Sequence, residues 1–297
     1  MQAFLKHGLV TTKWLGDRIS SSGSISPLLR ILDASWYLPH LNRNPLQEFQ
    51  QQHIPGALFF DLEGCCDHSS PYEHMLPSAK QFAEYAGSLA VDKQTHVVVY
   101  DGSDVGCFSA PRVWWMFRVF GHHNVSVLDG GFRNWLKEGY PVTADVISPA
   151  STNFEATRNE RWIKTFEEVE RNLKTKEFMV VDARAEGRFK GIQPEPRQGV
   201  EPGHIPGSLN MPFYSFLTEA GTMKSEEELR SMFQEKNVNL SKPLVVTCGS
   251  GVTACQVALA AYLCGKEDTM VFDGAWCEWF LRAKPEQVVS EGKGKSL

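Results

Sequence analysis

The sequence predicts an α/β protein of two similar domains, each a parallel β-sheet with helices on both faces. Three observations lead there. The chain repeats itself at an interval of about 150 residues, short β-branched runs alternate with amphipathic segments, and 42% hydrophobic with 22% charged residues is ordinary for a globular protein.

The repeat sets the number of domains. Ile31-Leu32-Asp33-Ala34-Ser35 returns as Val180-Val181-Asp182-Ala183-Arg184, and His53-Ile54-Pro55-Gly56-Ala57 returns as His204-Ile205-Pro206-Gly207-Ser208. Val97-Val98-Val99-Tyr100-Asp101-Gly102-Ser103 corresponds to Leu244-Val245-Val246-Thr247-Cys248-Gly249-Ser250. Val127-Leu128-Asp129-Gly130-Gly131 corresponds to Val271-Phe272-Asp273-Gly274-Ala275. Four matches in the same order are hard to obtain by chance. Thr143 to Arg161 is rich in Ser, Thr, Pro, Asn and charge and lacks apolar periodicity. The expected division is therefore a first domain over 1–144, a linker over 145–160 and a second domain over 161–297.

Strands are expected at Val97–Tyr100, Phe178–Asp182, Pro243–Thr247 and Thr269–Phe272, and helices at Ser78–Ala90, Ser109–Phe120, Ser225–Lys236 and Thr253–Gly265. Such alternation implies parallel strands, with ligands at the strand C-terminal ends.

Composition narrows the function. A net charge of −5 with no basic run gives no reason to expect nucleic-acid or membrane binding, and no run of eighteen apolar residues exists. Seven cysteines without CxxC or zinc spacing suggest free thiols in a reducing compartment, cytoplasmic or mitochondrial. Residues 1–24 hold Lys6, Lys13 and Arg18 against Asp17, weakly like a mitochondrial presequence. A frayed terminus and an amphipathic helix through Phe4, Leu5, Leu9, Val10 and Trp14 is the preferred reading.

The chemistry centres on Cys248. It follows a buried strand and precedes Gly249-Ser250-Gly251-Val252-Thr253, where a helix opens. Small residues let successive backbone N–H groups form an anion-binding nest, aided by the helix N-terminus. A cysteine at its base is stabilised as the thiolate and made nucleophilic. The corresponding first-half position is Asp101, followed by Asp104; carboxylates there would repel an anion and leave that half without chemistry. A Cys-loop phosphatase uses the same nest but needs an arginine at the loop's end, where this chain has Ala254.

The repeat plan, the two His-Ile-Pro-Gly motifs, the Asp-Gly-Gly and Asp-Gly-Ala elements and the six-residue cysteine loop resemble the tandem-domain rhodanese (sulfurtransferase) family over nearly the whole chain. Each half is then a rhodanese-like domain. The uncharged Gly249 and Ser250 resemble the family's 3-mercaptopyruvate branch; its thiosulfate branch carries cations there. The resemblance implies that Arg188 and Arg197 hold the carboxylate and ketone of 3-mercaptopyruvate, and that Gly249, Gly251, Val252 and Thr253 cradle it. It further implies a relay of Ser250, His74 and Glu63, with Asp61 or Asp67 as alternatives to Glu63. Sulfur would ride on Cys248 as a persulfide with no cofactor or metal, and pass to thioredoxin or another dithiol, a small thiol or cyanide. Thiosulfate transfer, or a non-catalytic persulfide carrier, are the alternative readings. Arg184 is expected in a structural ion pair, His53 and His204 in structural roles, His122 and His123 in solvent, and Phe108 at the cleft.

Overall fold

In the computed structural model, which describes residues 8–19 and 25–295, the second half repeats the first element by element. The first half contains β1 (Leu9–Val10), α1 (Thr12–Gly16), β2 (Leu29–Asp33), α2 (Pro45–Gln51), β3 (Ala57–Phe59), α3 (Ala79–Ser88), β4 (His96–Tyr100), α4 (Ala110–Val119), β5 (Val125–Leu128) and α5 (Gly131–Lys137). The second contains β6 (Ile163–Lys164), α6 (Phe166–Thr175), β7 (Met179–Asp182), α7 (Glu186–Lys190), β8 (Leu209–Asn210), α8 (Glu226–Glu235), β9 (Leu244–Thr247), α9 (Ala254–Leu263), β10 (Met270–Phe272) and α10 (Ala275–Arg282). The sheet orders are β1-β5-β4-β2-β3 and β6-β10-β9-β7-β8, with every pairing parallel.

Local chemistry explains these elements. The central strands β4 (His-Val-Val-Val-Tyr) and β9 (Leu-Val-Val-Thr) are built on consecutive buried valines, as strands covered on both faces require. Capping boxes start α3 at Ser78, α6 at Thr165 and α8 at Ser225. The N-terminal expectation needs correction: Leu9 and Val10 form an edge strand beside β5, and Trp14 lies in α1. Phe4 and Leu5, with Lys6 and half of the presequence-like stretch, lie outside the described residues.

Each sheet has an outer core of its own, while a third cluster joins both halves. Its centre is α4 against α9, and both helices are almost wholly buried. Trp114 of α4 meets Tyr262 of α9 edge to face at 5.3 Å, and the Arg118 guanidinium lies 4.3 Å from the Tyr262 ring centroid. Both helices follow the central strands, so their packing brings the loops after β4 and β9 to one interface.

Candidate active site

Cys248 follows β9 directly, with 2% of its surface exposed. Its loop turns its carbonyls away from the cleft. Cys248 O and Gly249 O accept the amides of Trp276 (2.9 Å) and Cys277 (3.1 Å) at the start of α10. Gly251 O accepts Cys255 Sγ (3.3 Å) and Arg112 Nη1 (3.4 Å). A trans peptide points its N–H opposite its carbonyl, so the amides of Gly249, Ser250 and Val252 face the other way. Among the described residues, these amides have no protein acceptor. Gly251, at φ +80°, makes the required reversal, which a side chain would strain.

The first half fills its own nest. Asp101 Oδ2 accepts the amides of Phe108 (2.8 Å), Ser109 (2.9 Å) and Ala110 (2.8 Å), while Oδ1 accepts that of Ser103 (3.0 Å). The carboxylate thus caps α4 where the second half leaves amides open below a thiol. A more voluminous cavity beside Gly102, Arg43 and Glu48 contains no cysteine.

The cleft over Cys248 is lined by the apolar Trp36, Leu38, Phe108 and Phe213, by Arg184, Arg188 and Arg197, and by Gly249, Ser250, Val252 and Thr253. The structure therefore brings the expected nucleophile, arginines and loop residues together, Phe108 among them; Gly251 makes the turn beneath. Arg188 and Arg197 converge over Gly249, where an added methyl would lie 3.0 Å from Arg188 Nη2 and 3.1 Å from Arg197 Nη1. Glycine is what lets both guanidiniums approach the loop.

Each arginine has a carboxylate partner. Arg188 makes a fork to Glu195, Nε–Oε1 3.0 Å and Nη2–Oε2 2.5 Å. Glu195 also accepts from Arg184 Nη1 (2.8 Å), and although burial works the other way, the two arginines hold its carboxyl below the usual range. Arg184 in turn pairs with Asp182, so it is structural as expected while still lining the cleft. Arg197 donates from Nε to Glu73 Oε2 (2.6 Å) and from Nη2 to Ser250 Oγ (2.9 Å).

His74 comes from the first half and places Nδ1 3.0 Å from Ser250 Oγ. Burial, then the cations Arg112 and Arg197, push its pKa down to about 3. The ring is therefore neutral near pH 7, and its backbone sits in the left-handed region at φ 61°, an arrangement the surroundings must enforce. The third relay member needs correction. Glu63 accepts from Trp36 Nε1 at 2.8 Å, and the indole meets His74 edge to face at 4.7 Å. Trp36 thus stands where a Glu63–His74 bond was expected. Asp61 accepts the Glu63 amide, and Asp67 accepts from Ser69, so neither replaces it.

Two other residues escaped sequence reasoning. Arg112 of α4 is fully buried and donates to His74 O (2.5 Å), Gly251 O and Asp273 Oδ1 (2.7 Å), while Asp273 Oδ2 accepts the Leu76 amide (2.8 Å). A charged residue in the apolar stretch Ala110–Val119 was the available signal. Glu73 had none, because its partner is 124 residues away. Burial raises the thiols of Cys255 and Cys277 to about 12, leaving both protonated at neutral pH. His53 and His204 occupy matching places, stacked on Phe49 (4.0 Å) and Phe189 (3.9 Å) and bonded through Nδ1 to those residues' carbonyls. His122 is not solvated as expected; it is buried, with Nε2 2.9 Å from Thr95 O. Among the described residues, no His/Cys/Asp/Glu group could hold a metal, and no helix is long and apolar enough to cross a membrane.

The family model for the rhodanese-like domain matches residues 11–138 and 165–281. A 3-mercaptopyruvate sulfurtransferase of Rattus norvegicus is 58% identical over 99% of this chain and 98% of its own. A thiosulfate sulfurtransferase of the same organism is 59% identical over 97% of each. Among solved structures, a 3-mercaptopyruvate sulfotransferase of Escherichia coli superposes with a TM-score of 0.80 at 35% identity, over 91% of this chain and 99% of that one.

Proposed function

The chain belongs to the rhodanese family, and on that premise we propose that it transfers the sulfur of 3-mercaptopyruvate through a persulfide on Cys248. The observation that carries this reading is the convergence of Arg188 and Arg197 over Gly249, next to Cys248. A forked guanidinium suits a planar carboxylate, and two of them can hold an α-keto acid by carboxylate and ketone.

The Cys248 thiolate attacks the donor sulfur, the carbon–sulfur bond breaks, and pyruvate leaves as its enolate. The enolate takes up a proton, matching the one the new persulfide releases at neutral pH. The amides of Gly249, Ser250 and Val252 stabilise the anionic sulfur. Ser250 Oγ accepts from Arg197, and its hydroxyl is left to bond with the neutral His74 ring or the donor. Glu63 acts only at a distance, by orienting Trp36.

The outer sulfur then passes to a thiol. A dithiol such as reduced thioredoxin would form its own persulfide, close to a disulfide and release hydrogen sulfide; small thiols and cyanide are simpler acceptors. The free cysteines suit a reducing compartment, cytosol or mitochondrion.

Thiosulfate is the second reading, favoured by relatives of that name at equal identity. The arginines weigh against it, because Glu195 and Glu73 already offset the charge of Arg188 and Arg197 and leave little surplus for a dianion. The test compares kcat/KM on the two donors, with pyruvate release measured for the first. A higher value for 3-mercaptopyruvate supports the assignment; a higher value for thiosulfate overturns it.

A further inference from the structure

The two carboxylates beside the clamp arginines are held in different ways. The Glu195 side chain is fully buried and bound by both Arg184 and Arg188. Glu73 comes from the other half of the chain, its side chain is 52% exposed, and among the described residues Arg197 is its one ion-pair partner. Releasing Glu195 would strand buried charge, whereas releasing Glu73 returns a carboxylate to water. Arg197 meanwhile keeps a second bond, to Ser250 Oγ.

We propose that Glu73 is a positioning residue that occupies Arg197 until the donor carboxylate displaces it, and that its charge biases the site toward monoanionic donors. This rests on the donor reading above. Glu73 and an incoming carboxylate compete for one guanidinium, so each binding event exchanges one carboxylate for another. During the exchange Arg197 never lacks an anion, which preserves its orientation toward Ser250. A dianion meets twice the repulsion from Glu73 that a monoanion meets, so the same residue discriminates between donors.

The test measures kcat and KM on 3-mercaptopyruvate and thiosulfate for the wild type, Glu73→Gln and Glu73→Asp. Gln keeps the shape without the charge, and KM for 3-mercaptopyruvate is expected to fall about two- to fivefold, the range set by a partly exposed ion pair. The ratio of kcat/KM for thiosulfate over 3-mercaptopyruvate is expected to rise, and Asp is expected to keep the wild-type preference. A residue of purely structural use would not lower KM. An unchanged or raised KM, an unchanged ratio, or an Asp variant that behaves like Gln overturns the proposal. If the wild type itself releases no pyruvate, it is the donor reading that fails.

Discussion

Arg112 of α4 and Asp273, which directly follows β10, form a fully buried ion pair of 2.7 Å that joins the two halves. The same guanidinium holds the carbonyls of His74 and Gly251, so one side chain fixes both that histidine and the turn of the cysteine loop. The first half thereby helps to build the candidate site.

Replacing Arg112 by Met leaves Asp273 buried without its cation. The expected loss of unfolding free energy is about 3–5 kcal/mol, measured by denaturant titration. Adding Asp273→Leu is expected to recover part of that stability. Turnover should stay low in the double variant, because the His74 and Gly251 carbonyls have still lost their donor.

Arg188→Ala and Arg197→Ala should differ. Both are expected to raise the donor KM, each lost charge-assisted contact being worth about 1.5–3 kcal/mol. Only Arg197→Ala also removes a bond to Ser250, so it should lower kcat as well. Steady-state kinetics on 3-mercaptopyruvate separate the two patterns.

The ring of His74 gives stability a pH dependence. Its folded pKa of about 3 lies below the ordinary 6.5, so the unfolded chain binds more protons between those values. The contribution is fully present above about pH 6.5 and is lost progressively as pH falls toward 3. The slope of unfolding free energy against pH in that window should be shallower in His74→Gln than in the wild type, and urea titrations at several pH values measure it.

In the first half, Asp101 accepts three amides at the start of α4 and a fourth, that of Ser103, in the preceding loop. Asp101→Ala is expected to cost about 1–3 kcal/mol, as buried donors lose their acceptor. Sulfur loading on Cys248 should persist, which intact-mass measurement after donor treatment would check.

What the sequence disclosed was local. The strand, small-residue loop and helix around Cys248 are contiguous, so residue types alone placed the thiol in an amide nest, and the repeat revealed the paired sheets. What it hid was contributed across the chain. Glu73 meets Arg197 from 124 residues away, and Arg112 meets Asp273 from 161. No periodicity or spacing reports such contacts. His74 and Ser250 lie 176 apart and were found only through resemblance. The same resemblance misplaced Glu63, because in this chain the Trp36 indole takes its carboxylate. His122 looked like a turn residue, yet its carbonyl partner, Thr95 O, comes from just before β4, 27 residues earlier.

The most direct measurement is the mass of the intact protein after treatment with 3-mercaptopyruvate, followed by peptide mapping under non-reducing conditions. The expected result is a gain of one sulfur atom, located on Cys248, with one pyruvate released per sulfur bound and no gain in Cys248→Ser. A gain that persists in Cys248→Ser, or that maps to another cysteine, would contradict the persulfide mechanism.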